Sequence, residues 1–166
     1  MSESSEYPEY PLTLHANCFI LGNKGVLLTG ASASGKSALT LALVERASWC
    51  GKRGCLVSDD YTELFVKQGK LYGRVPKTLS GGIEIRGAGL YRMAFEPEVA
   101  INFVVSLSKE PKRYPEDDKI TYCGIELPLY ILPDLNTADS LTICQAIEAL
   151  ALKTPWKKGN FQFKSC

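Results

Sequence analysis

The segment from Gly30 to Ser37, whose sequence is GASASGKS, restricts the fold of this chain more than any other feature. It fits the phosphate-binding loop pattern G-x-x-x-x-G-K-[ST], in which glycines let the backbone curl so that successive N–H groups point at an anion. An apolar run precedes it at 25–29, and helix-forming residues follow it at 38–46. This order predicts an α/β fold with nucleotide phosphates at the start of the helix. Because of these flanks, a chance match in a glycine-containing turn is the weaker alternative.

Every position of this loop is a candidate for nucleotide binding. Its backbone N–H groups and the positive end of the following helix dipole favour a polyphosphate. Lys36 supplies a compact cation for the β- and γ-phosphates, and Ser37 supplies a hydroxyl for Mg²⁺, which prefers hard oxygen ligands. ATP and Mg²⁺ are therefore the expected cofactors. The predicted binding residues are Gly30, Ala31, Ser32, Ala33, Ser34, Gly35, Lys36 and Ser37.

The composition indicates one globular domain. The chain has 166 residues, of which 45% are hydrophobic, and this is enough for a proper core. We expect a flexible segment at 1–11, a single domain at 12–153 and a tail at 154–166. The formal net charge of +1 gives no argument for binding to nucleic acid or to a membrane surface.

The cysteines and the N-terminus indicate the compartment. None of the six cysteines forms a C-x-x-C pair, and the chain has one histidine, so a zinc site is not expected. Cys18 and Cys144 lie among apolar residues and are predicted to be core residues. No apolar run is long enough to cross a bilayer, and the N-terminus lacks the regions of a signal peptide. We therefore expect a reducing cytoplasm.

Apolar runs predict more strands than helices. We expect a strand or strand pair within 12–21 and a short buried strand at 55–58 that ends in two aspartates. The apolar, β-branched run at 99–107 predicts a central strand. A further strand is expected at 125–132, where Pro128 favours an edge or a bulge. A regular alternation of strands and helices is therefore not expected.

Turn and helix signals complete the expected elements. The dipeptide 68–69, Gln-Gly, predicts a hairpin turn, and the charged, proline-containing stretch 110–119 predicts a loop. An amphipathic helix is expected at 137–153, with Thr137 as its N-cap. Its predicted buried face contains Leu141, Cys144, Ile147, Leu150 and Ala151.

Charged side chains outside the loop are candidates for catalysis. Asp59 and Asp60 follow an apolar strand, where they could support Mg²⁺ and accept a proton, or could close the strand with an Asx turn. Glu84 and Arg86 lie two positions apart, on one face of a short strand. They could serve as metal ligand and phosphate clamp, or form a solvated ion pair. His15 is a packed or surface residue unless the fold brings it beside the loop.

Together these segments resemble the catalytic domain of the HPr kinase/phosphorylase family over 14–152. The resemblance rests on His15, on the strand and loop at 25–37, on the aspartates at 59–60 and on the signature IEIRGAGL at 83–90. It implies a strand-rich phosphate-loop fold related to phosphoenolpyruvate carboxykinase.

The resemblance also implies an activity and partners. It implies a serine kinase that phosphorylates HPr, a phosphocarrier of the phosphotransferase system, and that removes this phosphate with inorganic phosphate, releasing pyrophosphate. Family members assemble as hexamers, so a homo-hexamer is expected. The residues at 124–128 are similar to the short form of the family, which lacks the usual N-terminal domain.

The resemblance implies roles for individual residues. Lys36 would bind the nucleotide phosphates, and Ser37 and Glu84 would hold Mg²⁺. Asp60, supported by Asp59, would take the proton of the serine hydroxyl and return it in the reverse reaction. The other implied site residues are His15, Arg86 and Ser32.

The sequence departs from the family pattern at three places. In the loop, Ala31 and Ala33 replace an acidic residue and a glycine, and the stretch 49–54 looks like an insertion. The G-R motif that carries a catalytic arginine in longer members is not found near the C-terminal strands, and Arg113 is the candidate substitute. Two other functions are therefore considered: a small-molecule phosphate-loop kinase, and a nucleotide-sensing module that binds a partner such as a sensor histidine kinase. Retention of Asp60 and Glu84 favours catalysis.

Overall fold

A computed structural model of the protein describes residues 11–155. Strands outnumber helices, as the sequence predicts. The strands are β1 (Leu12–Leu14), β2 (Asn17–Leu21), β3 (Lys24–Gly30), β4 (Gly54–Ser58), β5 (Thr62–Lys67), β6 (Lys70–Arg74), β7 (Gly82–Ile85), β8 (Gly89–Arg92), β9 (Glu98–Ser108), β10 (Lys119–Tyr122) and β11 (Ile125–Pro133). The helices are α1 (Lys36–Trp49), α2 (Ser140–Leu152) and a 3₁₀ turn (Lys77–Leu79).

Strand β9 is the centre of the main sheet. One side of β9 pairs in parallel with β3. The other side pairs with β6 through its first residues and in parallel with β11 through its last. The sheet continues from β3 through β2 to β4, and from β6 through β5 to β1. Because β3 and β9 are parallel, Gly30 lies opposite Leu107, and the loop after β3 emerges at this edge of the sheet.

Side chains alternate between the two faces of the sheet, and each face has its own core. Neighbouring residues of β2 and β3 belong to different cores because successive strand residues point to opposite faces. Helices α1 and α2 cover one face and are joined by Arg46, whose guanidinium donates to Glu148 at 2.6 and 3.0 Å. The helix-covered core includes Phe19, Leu21, Leu28, Leu39, Leu43, Phe103, Val105, Ile143 and Ile147. The opposite core includes Cys18, Ile20, Leu27, Val57, Leu64, Leu71, Ile101 and Val104.

The predicted core cysteines are confirmed. Cys18 and Cys144 are buried free thiols. Burial raises the pKa of Cys18 to about 12 and that of Cys144 to about 11. Both thiols are therefore neutral apolar packing groups at physiological pH.

Several predicted elements are confirmed. The hairpin turns at 68–69, where both residues have positive φ. The central strand and the loop between β9 and β10 are present. Pro128 lies in the half of β11 that pairs only with β10, which suits a residue without an N–H group. Strands β8 and β10 were not expected from the sequence.

The predicted start of the last helix is wrong. Helix α2 begins at Ser140, and its N-cap is Asp139, which accepts a hydrogen bond from the Thr142 N–H at 2.9 Å. Thr137 does not cap it, because its hydroxyl instead donates to Asp134 Oδ1 at 2.7 Å. Leu141, which was expected on the buried face, is 49% exposed.

The predicted boundaries at the two ends are not tested. Residues 1–10 and 156–166 lie outside the described part, and with them most of the predicted flexible segment and tail. Between residues 11 and 155, no helix is both long and apolar enough to span a membrane.

Candidate functional site

The loop between β3 and α1 has the curled backbone that the sequence predicts. Gly30, Ala33 and Gly35 have φ values of 155°, 61° and 103°. Gly35 is the N-cap of α1, so no side chain caps the helix, and its first turn contains no acidic residue. The first N–H groups of α1 are therefore left to an external acceptor, and a phosphate fits this position.

Lys36 is folded onto this loop. Its side chain is 5% exposed, and Nζ donates to the carbonyl oxygens of Gly30 and Ala31, both at 3.1 Å. Burial lowers the pKa of Lys36, and the charges of Asp60 and Asp59 partly oppose this shift. The Lys36 ammonium group is therefore poorly solvated and bonded to carbonyl oxygens of its own loop. A bound phosphate could replace these carbonyls as its hydrogen-bond partner.

Asp59 is a buried carboxylate that joins three elements. Oδ1 accepts hydrogen bonds from Ser37 Oγ at 2.6 Å and from Asn17 Nδ2 at 2.7 Å. Oδ2 accepts from the backbone N–H of Glu84 at 3.0 Å. Hydrogen bonds to a carboxylate are stronger than those between neutral groups. Asp59 therefore connects the loop helix, the start of β2 and strand β7.

Asp60 points away from this network. Strand β4 ends at Ser58, and the Tyr61 N–H donates to the Asp59 carbonyl at 2.7 Å, which turns the chain. Asp60 has a φ of 66°, and its exposed carboxylate contacts Nε2 of His15. The fold thus brings the only histidine to the predicted base, and the two aspartates close the strand while facing different partners.

The predicted pairing of Glu84 and Arg86 on one strand face is wrong. Strand β7 ends at Ile85, so Arg86 lies in the turn that leads to β8. Its exposed side chain makes no hydrogen bond or ion pair within residues 11–155. Glu84 reaches the site through its backbone N–H, while its side chain is exposed. Arg113 lies in the loop before β10, where its Cζ is 5.4 Å from the centroid of the Tyr114 ring.

The carboxylates do not form an all-protein metal cage. Within residues 11–155, no group of three or more His, Cys, Asp or Glu side chains could hold a metal ion. Mg²⁺ in nucleotide sites uses one or two protein ligands together with phosphate oxygens and water. Ser37, as the predicted ligand nearest the loop, has the hard hydroxyl oxygen that such a site uses, and the magnesium role of Ser37 and Glu84 stays a prediction.

Sequence reasoning missed two buried polar residues at the site. Asn17, at the start of β2, is fully buried and donates to Asp59 and to Thr40 Oγ1. Thr40 is equally buried, on the first turns of α1. The available signal was an amide within a strand that is otherwise apolar, since buried polar groups need partners.

The fold and the site define a class of protein: a strand-rich α/β domain with a glycine-rich loop between a strand and a helix, and with carboxylates at that edge. The chain matches the family described as HPr Serine kinase C-terminal domain over residues 10–162, and it belongs to this family.

Individual relatives agree with this assignment. The chain is 33% identical to an HPr kinase/phosphorylase of Caldanaerobacter subterraneus over 136 residues, which cover 74% of this chain and 43% of the relative. It is 30% identical to that of Caldicellulosiruptor bescii over 164 residues, covering 90% of this chain and 50% of the relative. The chain thus spans about half the length of the curated relatives that it matches.

A solved structure has the same fold. The Hpr(Ser) kinase/phosphatase from Coxiella burnetii matches with a TM-score of 0.71 and 29% sequence identity, over 85% of this chain and 97% of that one. This match confirms the predicted mixed α/β, strand-rich fold. The predicted relation to phosphoenolpyruvate carboxykinase stays a prediction.

Proposed function

We propose that this chain is the catalytic domain of an ATP-dependent kinase/phosphorylase that acts on a serine of an HPr-type phosphocarrier. The observation that carries the proposal is the convergence of Lys36, Ser37, Asp59 and Asp60 at one edge of the sheet, with His15 on Asp60. Phosphoryl transfer needs positioned groups and neutralised charge rather than covalent help from the protein. This set of side chains supplies both.

The residues at this edge of the sheet have different roles in phosphoryl transfer. The open N–H groups of α1 and the Lys36 ammonium bind the phosphates of ATP. Ser37 and Glu84 hold Mg²⁺, which neutralises charge on the phosphate oxygens when it is bound. Asp59 orients Ser37, because its Oδ1 accepts the hydrogen bond from the Ser37 hydroxyl.

Asp60 is the proposed acid and base. In the forward direction, the acceptor serine oxygen bonds to the γ-phosphorus, the bond to the leaving ADP oxygen breaks, and the serine proton passes to Asp60. In the opposite direction, an oxygen of inorganic phosphate bonds to the phosphorus of phosphoserine, the bond from this phosphorus to the serine oxygen breaks, and pyrophosphate is the product. Asp60 takes the proton of the attacking phosphate and gives it to the departing serine oxygen, so the base of the forward step is the acid here. His15 contacts the Asp60 carboxylate and orients it, and Arg86 belongs to the family signature at 83–90.

The family supports the remaining parts of the proposal. An HPr-type partner is proposed because the relatives are named HPr kinase/phosphorylase, whereas a homo-hexamer and a cytoplasmic location are proposed from the family resemblance alone. The competing proposal is a nucleotide-sensing module with a sensor histidine kinase as its partner. It would bind ATP at the same loop and transfer nothing. The further alternative, a small-molecule kinase, would use ATP without a protein acceptor.

One assay separates these functions. Purified protein is incubated with γ-labelled ATP, Mg²⁺ and HPr, as wild type, Lys36→Ala, Asp60→Asn and Asp117→Asn. Asp117 is an exposed loop aspartate, so its variant controls for the same chemical change away from the site.

We expect label on HPr with wild type and Asp117→Asn. Asp60→Asn should bind ATP but lose transfer by about 10²-fold to 10⁴-fold, the range for a general base. Lys36→Ala should lose tight ATP binding and keep its fold by circular dichroism. ATP binding by wild type with no labelled HPr would reject the kinase and favour the sensor. Release of pyrophosphate from phospho-HPr and phosphate tests the reverse half separately.

A further inference from the structure

Asn17 is a fully buried amide whose polar atoms are all used at the site. Nδ2 donates to Asp59 Oδ1 at 2.7 Å and to Thr40 Oγ1 at 3.0 Å. Oδ1 accepts from the backbone N–H of Asp60 at 3.1 Å. One side chain thus contacts the carboxylate of one aspartate and the backbone of the next.

The contact with Asp60 falls on an unfavourable backbone conformation. Asp60 has a φ of 66°, in the left-handed region, which is uncommon for residues other than glycine although aspartate adopts it more often than most. The residue after it is Tyr61, so no neighbouring glycine makes the turn easier. Such conformations persist where surrounding structure holds them. Asn17 supplies one such contact, because its Oδ1 satisfies the N–H that the turn at Asp60 presents.

We propose that Asn17 is a positioning residue that fixes Asp59 and Asp60 in different orientations. Its amide donor holds Asp59 toward Ser37, and its carbonyl holds the turn that sends Asp60 toward His15. The two neighbouring carboxylates can then perform different tasks. The kinetic part of this inference rests on the proposed phosphoryl transfer, whereas the geometric part does not.

Only an amide of this size provides both contacts. Asn17→Leu has a similar volume but neither donor nor acceptor. Asn17→Asp keeps an acceptor for the Asp60 N–H and places an oxygen where Nδ2 now lies, 2.7 Å from Asp59 Oδ1. Asn102→Leu is the matched control, because it removes another amide that accepts from a backbone N–H, that of Gly25 at 2.8 Å, at the end of β3 away from the loop.

Steady-state kinetics of HPr phosphorylation test the effect on catalysis. We expect Asn17→Leu to lower kcat by about tenfold or more, since it removes hydrogen bonds to a charged group and to a strained turn. The KM for ATP should change less than kcat, because Asn17 reaches Ser37 only through Asp59. Asn102→Leu should keep kcat within about twofold of wild type. Equal kcat losses in Asn17→Leu and Asn102→Leu would overturn the inference.

Amide hydrogen exchange, followed by NMR, tests the geometry without catalysis. Exchange at the Asp60 N–H should be about tenfold faster or more in Asn17→Leu, with amides in the middle of α1 unchanged. Asn17→Asp should keep the wild-type rate at Asp60 while its kcat falls, and it replaces Asn17→Leu if that variant does not fold. An unchanged Asp60 rate in Asn17→Leu would overturn the inference. Absence of transfer in wild type, with the expected exchange pattern, would instead reject the proposed function.

Discussion

Two kinds of region in this molecule contain residues other than glycine with positive φ, and they are held in different ways. Within residues 11–155 there are four such residues, of which Gln68 and Cys123 lie at hairpin tips. Each is followed by a glycine that also has positive φ, as two-residue turns of the type I′ class require. The flanking strands pair directly across these turns. Local sequence is enough to explain both tips.

The other two residues, Ala33 and Asp60, lie at the candidate site. Neither is followed by a glycine. Asp60 is held by Asn17, which lies 43 positions away in the chain. The loop of Ala33 is held by Leu135, whose N–H donates to the Ser34 carbonyl at 3.1 Å. Local turn bonds are present at the site as well, from Tyr61 to Asp59 and from Ser34 to Ala31, but there tertiary contacts add to them, whereas the hairpin tips need only local sequence.

The largest expected effect comes from placing glycine at one residue of each kind. In Asp60→Gly and Gln68→Gly, glycine relieves an unfavourable φ, and the free energy of unfolding should change by no more than about 1 kcal/mol in either. Phosphoryl transfer should fall by about 10³-fold in Asp60→Gly alone, because a general base is lost. Urea unfolding and the HPr assay measure the two quantities. A comparable loss of transfer in Gln68→Gly would break the distinction.

A smaller effect is expected from alanine at a glycine of each region. An added Cβ at Gly35 would lie 2.3 Å from Leu135 Cδ1, whereas at Gly69 it would meet nothing within 4 Å. Both glycines have positive φ. Gly69→Ala should cost about 1 kcal/mol from φ alone, and Gly35→Ala about 3 kcal/mol, since overpacking adds to it. Urea unfolding measures both losses. Equal losses would show that Leu135 yields freely, and Leu135→Ala should recover part of the Gly35→Ala loss.

The smallest effect is a change of stability with pH. Burial lowers the pKa of Lys36 below its ordinary value of 10.5. Between the folded pKa and 10.5, the unfolded chain therefore binds more protons than the folded protein. Wild type should therefore gain stability relative to Lys36→Met as the pH rises through the folded pKa toward 10.5. Urea unfolding at a series of pH values measures this difference.

Lys67, on the hairpin strand β5, should change stability with pH in the opposite direction to Lys36. The hydrogen bond that Lys67 donates to Glu98 raises the pKa of Lys67, so its contribution to stability is complete below 10.5 and is lost as the pH rises through the folded pKa. Wild type should lose stability relative to Lys67→Met in that range. The same slope for both lysines would contradict the contrast between the two regions.

Elements with a local signal were predictable, and those that depend on distant partners were less so. The strand, loop and helix around Lys36 follow from spacing and glycine positions, and the tip at 68–69 from its dipeptide. The start of α2 was misplaced because Thr137 and Asp139 are both acceptable caps. The position of Asp134 decides between them, because its carboxylate accepts a hydrogen bond from the Thr137 hydroxyl.

The sequence by itself determined that a glycine-rich loop lies between a strand and a helix, and which family the chain belongs to. Both follow from residues that are close in the chain, where a few fixed positions specify a backbone shape. Only the tertiary structure decided that Asp59 faces Ser37 while Asp60 faces His15, that Arg86 leaves the strand, and that a buried amide contacts both aspartates. These contacts join β2, β4, β7 and α1. No local pattern encodes them, because they depend on which residues the sheet brings to one edge.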